Sequence, residues 1–366
     1  MKNTIGSSVT VTLFGESHGE VVGAVLDGLT PGVRIDEDDI RAKLSLRRPV
    51  GKISTARVED DEFSIVSGVY QGRTTGTPLC ILIPNTKQRS SDYDPSSFVP
   101  RPGHADLTGF YKYHGFEDRR GGGHFSGRLT APIVAAGAIA QGMLKKKGIC
   151  LGTHIYALAG VKDRAFGDLQ KDIHILENKL FPVMDDAIGE EMIRRIEEAA
   201  AMGDSVGGIL ESAVLGLPAG LGEPFFDTAE GLLSHALFAI PAVKGVDFGE
   251  GFGFADLSGS DANDEMAIED GKVRLLTNRN GGVLGGITSG APLRFRVAVK
   301  PTPSIGKAQK SVDLISGENT ELTIRGRHDP CIVHRARAVV DAITALTLLD
   351  LLAQRFGTDI FGGEVG

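Results

Sequence analysis

Apolar and polar positions alternate near the start of the chain. Val9, Val11 and Leu13 interleave with Thr10 and Thr12, the two-residue period of a half-buried strand. That strand runs straight into Gly15-Glu16-Ser17-His18-Gly19, which places these polar residues at a strand end. The apolar run Val21 to Leu26 predicts a second strand, and Phe63 to Val69 and Leu79 to Ile83 predict two more, the last pair separated by a turn-rich stretch from Gln71 to Pro78. Asp36 to Leu46 reads as a helix with acidic residues in its first turn. Pro132 to Lys147 predicts a buried helix, with proline near its start, basic residues at its negative end and Gly148 as its stop. Asp185 to Met202 carries Ile188, Met192, Ile196 and Ala199 on one stripe, an amphipathic helix ended by Gly203. Asp227 and Glu230 have the spacing of a capping box for a helix through Ala239. Ala336 to Arg355 is apolar nearly all round, as befits a helix in a core or at an oligomer interface.

These strands and helices do not alternate regularly, which disfavours a doubly wound parallel sheet and predicts an α+β fold. Without an evident linker or repeat, the expectation is one domain over residues 1–366. Residues 85–130 show little periodicity and are rich in Arg, Gly, His, Ser and Asp. A connection of that length is usually functional or disordered. Its aromatics, Tyr93, Phe98, Phe110, Tyr111, Tyr113 and Phe116, argue against disorder.

Composition narrows the function classes. The net charge of -8 over 366 residues does not suit a nucleic-acid-binding protein, so any anion site must come from local Arg and Lys clusters. The 49 glycines cluster in loops beside basic residues, where backbone can approach a ligand closely. Cys80, Cys150 and Cys331 show neither metal-ligand spacing nor a disulfide pattern, consistent with reduced thiols in a cytoplasmic protein. The N-terminus has no secretory pattern, and the longest uncharged run, Leu129 to Leu144, is too short to span a bilayer; no membrane association is expected.

Five constellations could carry chemistry. His18, at a strand end between small residues, can exchange a proton near neutral pH, although Ser17 and His18 could equally serve a turn. Arg47-Arg48-Pro49, followed by Lys52 and Arg57, presents forked guanidiniums suited to carboxylates and phosphates, or else a solvated loop. Arg101-Pro-Gly-His-Ala-Asp106 leads to Asp118-Arg-Arg-Gly-Gly-Gly-His-Phe-Ser-Gly-Arg128, where consecutive glycines let backbone N–H groups converge on an anion. This is neither a Walker A loop nor a dinucleotide fingerprint. Asn280-Gly-Gly-Val-Leu-Gly-Gly-Ile-Thr-Ser-Gly290 followed by Lys300-Pro-Thr-Pro-Ser304 could seat a flat ring and a phosphate tail; a sharply turned hairpin is the equal alternative. In Arg325-Gly-Arg-His-Asp-Pro-Cys331, ahead of His334, Arg335 and Arg337, Asp329 is either a base or the cap of the following helix.

Taken in order, these motifs resemble those of the chorismate synthase family across nearly the whole chain. Further matches are Arg89-Ser90, Asp92-Tyr93, Pro218-Ala-Gly-Leu-Gly-Glu-Pro224, Val243-Lys-Gly-Val246 and Gly282-Val-Leu-Gly-Gly286. The resemblance implies a β-α-β sandwich, with antiparallel sheets packed around central helices, assembled as a homotetramer. It implies a carbon–oxygen lyase of the shikimate pathway. The reaction is a 1,4-elimination of phosphate from 5-enolpyruvylshikimate 3-phosphate to give chorismate, without net redox change but dependent on reduced FMN.

The same resemblance assigns roles. His18 would lie beside the flavin, His104 would protonate the departing phosphate, Asp329 would help relay the proton at flavin N5, and Ser17 and Ser126 would support them. Flavin contacts map to His124, Phe125 and Ser126, to Pro241 and Ala242, to Gly285, to Lys300, Pro301, Thr302, Pro303 and Ser304, and to Arg327. Arg47, Arg48, Lys52, Arg128 and Arg335 would bind substrate anions. No metal is implied, NADPH enters only as a reductant, and a separate flavin reductase is the other source of reduced flavin. The chain departs from many members at His124-Phe-Ser-Gly-Arg-Leu-Thr130, where they read Arg-Ser-Ser-Ala-Arg-Glu-Thr, and at Pro241, where some read Asn. An NADPH-dependent flavin reductase on the same scaffold and a non-catalytic anion-binding relative are the rival readings.

Overall fold

In a computed structural model the described residues are 2–49, 51–54, 61–86, 98–177, 179–324 and 329–362. Two five-stranded sheets frame the molecule. The first contains β1 (Thr4–Ile5), β2 (Thr10–Gly15), β3 (Val21–Asp27), β4 (Ser64–Ser67) and β5 (Leu79–Pro84), in the order β1-β2-β3-β5-β4. The second contains β6 (Cys150–Leu158), β7 (Val161–Lys162), β8 (Gly208–Leu215), β9 (Val243–Phe248) and β10 (Leu293–Val299), in the order β9-β10-β8-β6-β7. Every described pairing within them is antiparallel.

The helices in chain order are α1 (Glu37–Ser45), α2 (Asp106–Tyr113), α3 (Thr130–Lys146), α4 (Asp186–Ala201), α5 (Ala229–Leu237) and α6 (Val333–Phe356), with a further short helix at Leu169–Leu176. Of these, α3 packs on the first sheet, α6 packs on the second, and the two pack on each other. This is the expected sandwich. It explains why both helices are apolar on nearly every side: each has a sheet on one face and helix on another. Leu26, Ile81, Leu144, Ile155, Val297 and Leu349, from both sheets and both central helices, belong to one continuous core. The N-terminal loop is tied to this core by Asp350 of α6, which accepts N–H bonds from Ser8 at 2.7 Å and Val9 at 2.8 Å.

Several boundaries differ from the sequence expectation. A helix, α2, occupies Asp106–Tyr113 within the stretch that showed little periodicity. It is short, and Gly109 in its middle weakens the helical signal. Helix α5 is capped by the Thr228 hydroxyl, which accepts from the Gly231 N–H at 2.9 Å, so Asp227 and Glu230 do not form the expected capping box. Helix α6 begins at Val333, three residues before the predicted Ala336, and has no side-chain cap; Asp329 is therefore not its cap. Val283–Leu284 and Ile287–Thr288 pair as a tight hairpin through Gly285 and Gly286, the plainer of the two readings of that glycine-rich stretch.

The crossing of α3 and α6 depends on one residue. A Cβ on Gly137 would lie 2.3 Å from the Ala342 Cβ and 2.4 Å from its Cα. Backbone cannot yield as a flexible side chain can, so Gly137→Val must separate the two central helices. Overpacking of this kind costs about 1–3 kcal/mol. The variant is expected to show a lowered midpoint in chemical denaturation; an unchanged midpoint would mean the crossing is loosely packed.

Candidate active site

The end of β2 and the glycine turn that follows α2 meet at the centre of the site. Gly121, Gly122 and Gly123 all have positive φ, at 60, 87 and 54°. The Ser17 N–H donates to the Gly123 carbonyl at 3.0 Å, which fixes the strand end against the turn. A Cβ on Gly121 would fall 2.2 Å from His18 Cε1 and 2.9 Å from Ser17 Oγ. On the next residue, a Cβ on Gly122 would fall 3.3 Å from His104 Cε1 and 3.4 Å from its Nε2. Two imidazoles far apart in sequence thus sit against adjacent glycines, where a side chain would intrude on both. His18 is buried and His104 is partly buried.

A cavity of about 850 Å³ opens beside this turn. Its charged lining comprises Lys2, Arg47, Arg48, Arg101, Arg128, Lys300 and Arg335 against the carboxylates of Asp61 and Asp329. The lining also includes an apolar set, Leu13, Ile133, Ile240, Val339, Ile343 and Leu346. On a chain of net negative charge, this is a local concentration of cations in a partly enclosed space, where they act strongly on an anion.

Loops distant in sequence are cross-linked around the cavity. Asp61 is the buried centre of one network: Arg47 Nη1 donates to its Oδ2 at 2.5 Å, and Arg128 Nη1 donates to its Oδ1. Burial pushes the Arg47 guanidinium below its ordinary value, with Asp61 pulling the other way. The buried Arg47 Nε has no hydrogen-bond partner among the described residues. Arg335 bridges to a second network, donating from Nε to the Arg47 carbonyl and from Nη1 to Asp329 Oδ2, both at 2.7 Å. Thr302 donates to the Asp329 carbonyl at 2.8 Å, and Lys300 Nζ donates to the Gly103 carbonyl at 2.5 Å. Next to Asp329, burial pushes the Cys331 thiol up to about 12 and the His334 imidazole down to about 3, so both are neutral at physiological pH.

Most of the residues expected from sequence lie on this cavity. Ser17, Arg47, Arg48, His104, His124, Phe125, Ser126, Arg128, Pro241, Ala242, Lys300, Thr302, Pro303, Ser304, Asp329 and Arg335 line it. His18 stands behind Gly121. Ser126 also accepts from the Arg128 N–H at 3.3 Å, and His124 uses its ring nitrogens on the Gly15 carbonyl and on Asn3. Pro301 and Gly285 are not among the lining residues, and Gly285 sits in the hairpin turn. The side chain of Lys52 and all of Arg57, Arg89, Ser90, Asp92, Tyr93, Arg325 and Arg327 lie outside the described residues. Sequence reasoning missed Asp61, which looks like one more acid in Glu59-Asp-Asp-Glu62, and gave no role to Arg101 or Asp106 beyond their motif.

An antiparallel sandwich around paired helices, carrying a cation-lined cavity bordered by His104 and Asp329 with His18 against its Gly121, defines an α+β protein suited to a small polyanion. The family model for chorismate synthase matches residues 9–353. Relatives named chorismate synthase include one from Dehalococcoides mccartyi, 47% identical over 359 residues and 96% of each chain. Another from Thermococcus kodakarensis is 44% identical over 350 residues, 96% of this chain and 97% of its own. A crystal structure of chorismate synthase superposes with a TM-score of 0.76 at 28% identity, covering 96% of this chain and 94% of the other. The chain belongs to the chorismate synthase family.

The glycine turn provides a direct check on the site. Gly121→Ala places a methyl where the His18 ring lies and requires an alanine at φ 60°. Misplacing a catalytic group by about 1 Å can cost about 100-fold in rate. A loss of at least that order in kcat/KM is expected with the fold retained by circular dichroism; wild-type turnover would show that the turn does not set the histidine.

Proposed function

We propose that the cation-lined cavity is where this chain carries out the chorismate synthase reaction, the 1,4-elimination of phosphate from 5-enolpyruvylshikimate 3-phosphate. The observation that carries the assignment of the site is one cavity, with mostly cationic charged residues, that His104 and Asp329 line and against whose Gly121 His18 packs. A substrate with two carboxylates and a phosphate needs such a lining. Arg47 and Arg128 share a single carboxylate, so together they keep a net positive charge beside the cavity.

The cavity also fits a reduced flavin. Its volume is in the upper part of the range for small-molecule sites, large enough for a ring system beside a substrate. The apolar wall formed by Ile133, Val339, Ile343 and neighbours suits a flat ring, and Lys300, Thr302 and Ser304 suit a phosphate tail. When bound, reduced FMN supplies transient electron density and a ring nitrogen able to accept the substrate hydrogen. His18 offsets negative charge beside that ring. His104 holds the proton that the phosphate oxygen takes as its carbon–oxygen bond breaks. Asp329, held by Arg335, would help relay the proton at the flavin ring nitrogen. Arg47, Arg48 and Arg128 fix the anionic groups, and Ser17 and Ser126 hold the turn and the Arg128 backbone in place. The segment 241–242 and Phe125 complete the flavin wall, where Pro241 and the His124-Phe125 pair distinguish this chain from many relatives.

One folding unit over 1–366 is part of the same reading, supported by the core that joins both sheets. A homotetramer is supported by the exposed apolar side chains of Phe225, Phe226, Phe252, Ile268 and Val273, which water alone would disfavour. A separate reductase, with NADPH as its reductant, would supply reduced flavin.

Anaerobic assay with photoreduced FMN tests the assignment. The wild-type chain is expected to release phosphate and chorismate without consuming NADPH. His104→Ala should lower kcat by about 100-fold or more, in line with loss of a general acid, and leave KM nearly unchanged. Substrate binding without phosphate release, or NADPH consumed stoichiometrically with product, would contradict the reading.

A further inference from the structure

We propose that Asp106 is a positioning residue for the elimination: its carboxylate holds His104 in the tautomer and orientation that leave Nε2 for the departing phosphate. The proposal rests on the reading of His104 as proton donor and adds to it a residue that acts only through the imidazole.

The geometry begins in the turn. Pro102 limits the backbone, and Gly103 has φ of 72°, so Arg101 folds back over the start of α2, where Asp106 is the first residue. Asp106 Oδ2 accepts from the Arg101 backbone N–H at 3.0 Å and from its Nε at 2.7 Å. Oδ1 accepts from Arg101 Nη2 at 2.8 Å and lies 2.7 Å from His104 Nδ1. The carboxylate is thus held by a two-pronged guanidinium before it meets the imidazole, and neither oxygen can swing away without breaking charge-assisted bonds. Burial alone would raise the Asp106 carboxyl, but the hydrogen bonds from Arg101 and His104 outweigh it and keep it well below the usual carboxylate range.

That arrangement decides the tautomer. A carboxylate oxygen at 2.7 Å from Nδ1 demands a proton on Nδ1, because two facing lone pairs would repel. Arg101 Nη2 is also within hydrogen-bond distance of Nδ1 at 3.2 Å, but the carboxylate oxygen is nearer, at 2.7 Å, and Nη2 is already engaged by it at 2.8 Å, so the carboxylate assigns the Nδ1 proton. Nε2 is then the nitrogen whose proton is exchanged. That edge of the ring lies against Gly122, a Cβ on which would fall 3.4 Å from Nε2, and His104 is a lining residue of the large cavity. Asp106 does not line that cavity; it borders a neighbouring one of about 360 Å³. It therefore acts behind the imidazole.

In the step this supports, the C–O bond electrons pass to the leaving phosphate oxygen, that oxygen takes the proton from Nε2 of the His104 imidazolium, and the imidazole is left neutral, its remaining proton on Nδ1 and directed at Asp106. Asp106→Asn keeps the shape but can turn its amide N–H toward Nδ1, which selects the wrong tautomer. An amide in place of an orienting carboxylate is known to cost as much as about 10⁴-fold in kcat in a serine protease triad.

The test combines turnover with histidine-selective ¹⁵N NMR. Asp106→Asn is expected to lower kcat by at least about 100-fold in the anaerobic reduced-FMN assay, with KM within a few-fold of wild type. Its His104 resonances should move from the Nδ1–H form toward the Nε2–H form. Asp106→Glu should restore the Nδ1–H signature and part of kcat, which a merely structural role for the side chain would not link. If Asp106→Asn does not fold, the wild-type spectrum and the Glu variant still decide the matter. Neutral wild-type His104 in the Nε2–H form overturns the proposal. A slow His104→Ala beside a fast Asp106→Asn overturns it alone, whereas a His104→Ala that turns over normally removes the proton donor itself.

Discussion

The site depends on a place where no side chain can be accommodated. Gly121 packs against the imidazole of His18 and Gly122 against that of His104, and an added Cβ would lie 2.2 Å from the first ring and 3.3 Å from the second. The turn reaches both histidines through consecutive residues, and its backbone is tied to the end of β2 through the Ser17 N–H. The sandwich beneath supplies the rigidity. Strand β2 belongs to a five-stranded sheet, α3 starts shortly after the turn, and α6 brings Asp329 and Arg335 to the same space from the opposite sheet layer.

Charge explains why the surrounding loops stay in register. Arg47, Arg128 and Arg335 come from three separate segments, and uncompensated they would repel one another. Asp61 and Asp329 each bind one or two of them, and backbone carbonyls take some of the other N–H groups. The balance is deliberately incomplete in physical terms: enough carboxylate to hold the arginines together, too little to neutralise the cavity. Binding a polyanion completes the compensation. The same logic on a smaller scale operates at Arg101, Asp106 and His104.

The sequence was informative where periodicity or motif order is strong. Alternation at Val9–Leu13 and the uniformly apolar run in α6 announced the first sheet and a central helix, and the order of the polar motifs pointed to the family. It was less informative where a local rule has competitors. Gly109 obscured α2, and Thr228 displaced the acid one residue earlier as the cap of α5. Asp329 follows the pattern of a helix cap, yet it pairs with Arg335 instead. Asp61 gave no signal, because an acidic run ordinarily marks a solvated face, and only the folded chain brings it between two arginines separated by 81 positions (Arg47 to Arg128). Likewise no spacing rule relates position 18 to position 104.

A crystal structure with substrate and reduced FMN bound tests the central claim most directly, namely that one ligand space lies between the glycine turn, the arginines and Asp329. The account predicts the substrate phosphate within hydrogen-bond distance of His104 Nε2, its carboxylates on the cavity arginines, and the flavin ring lying beside His18. Density for substrate elsewhere on the molecule, or a phosphate reached by neither His104 nor any of these arginines, would contradict it.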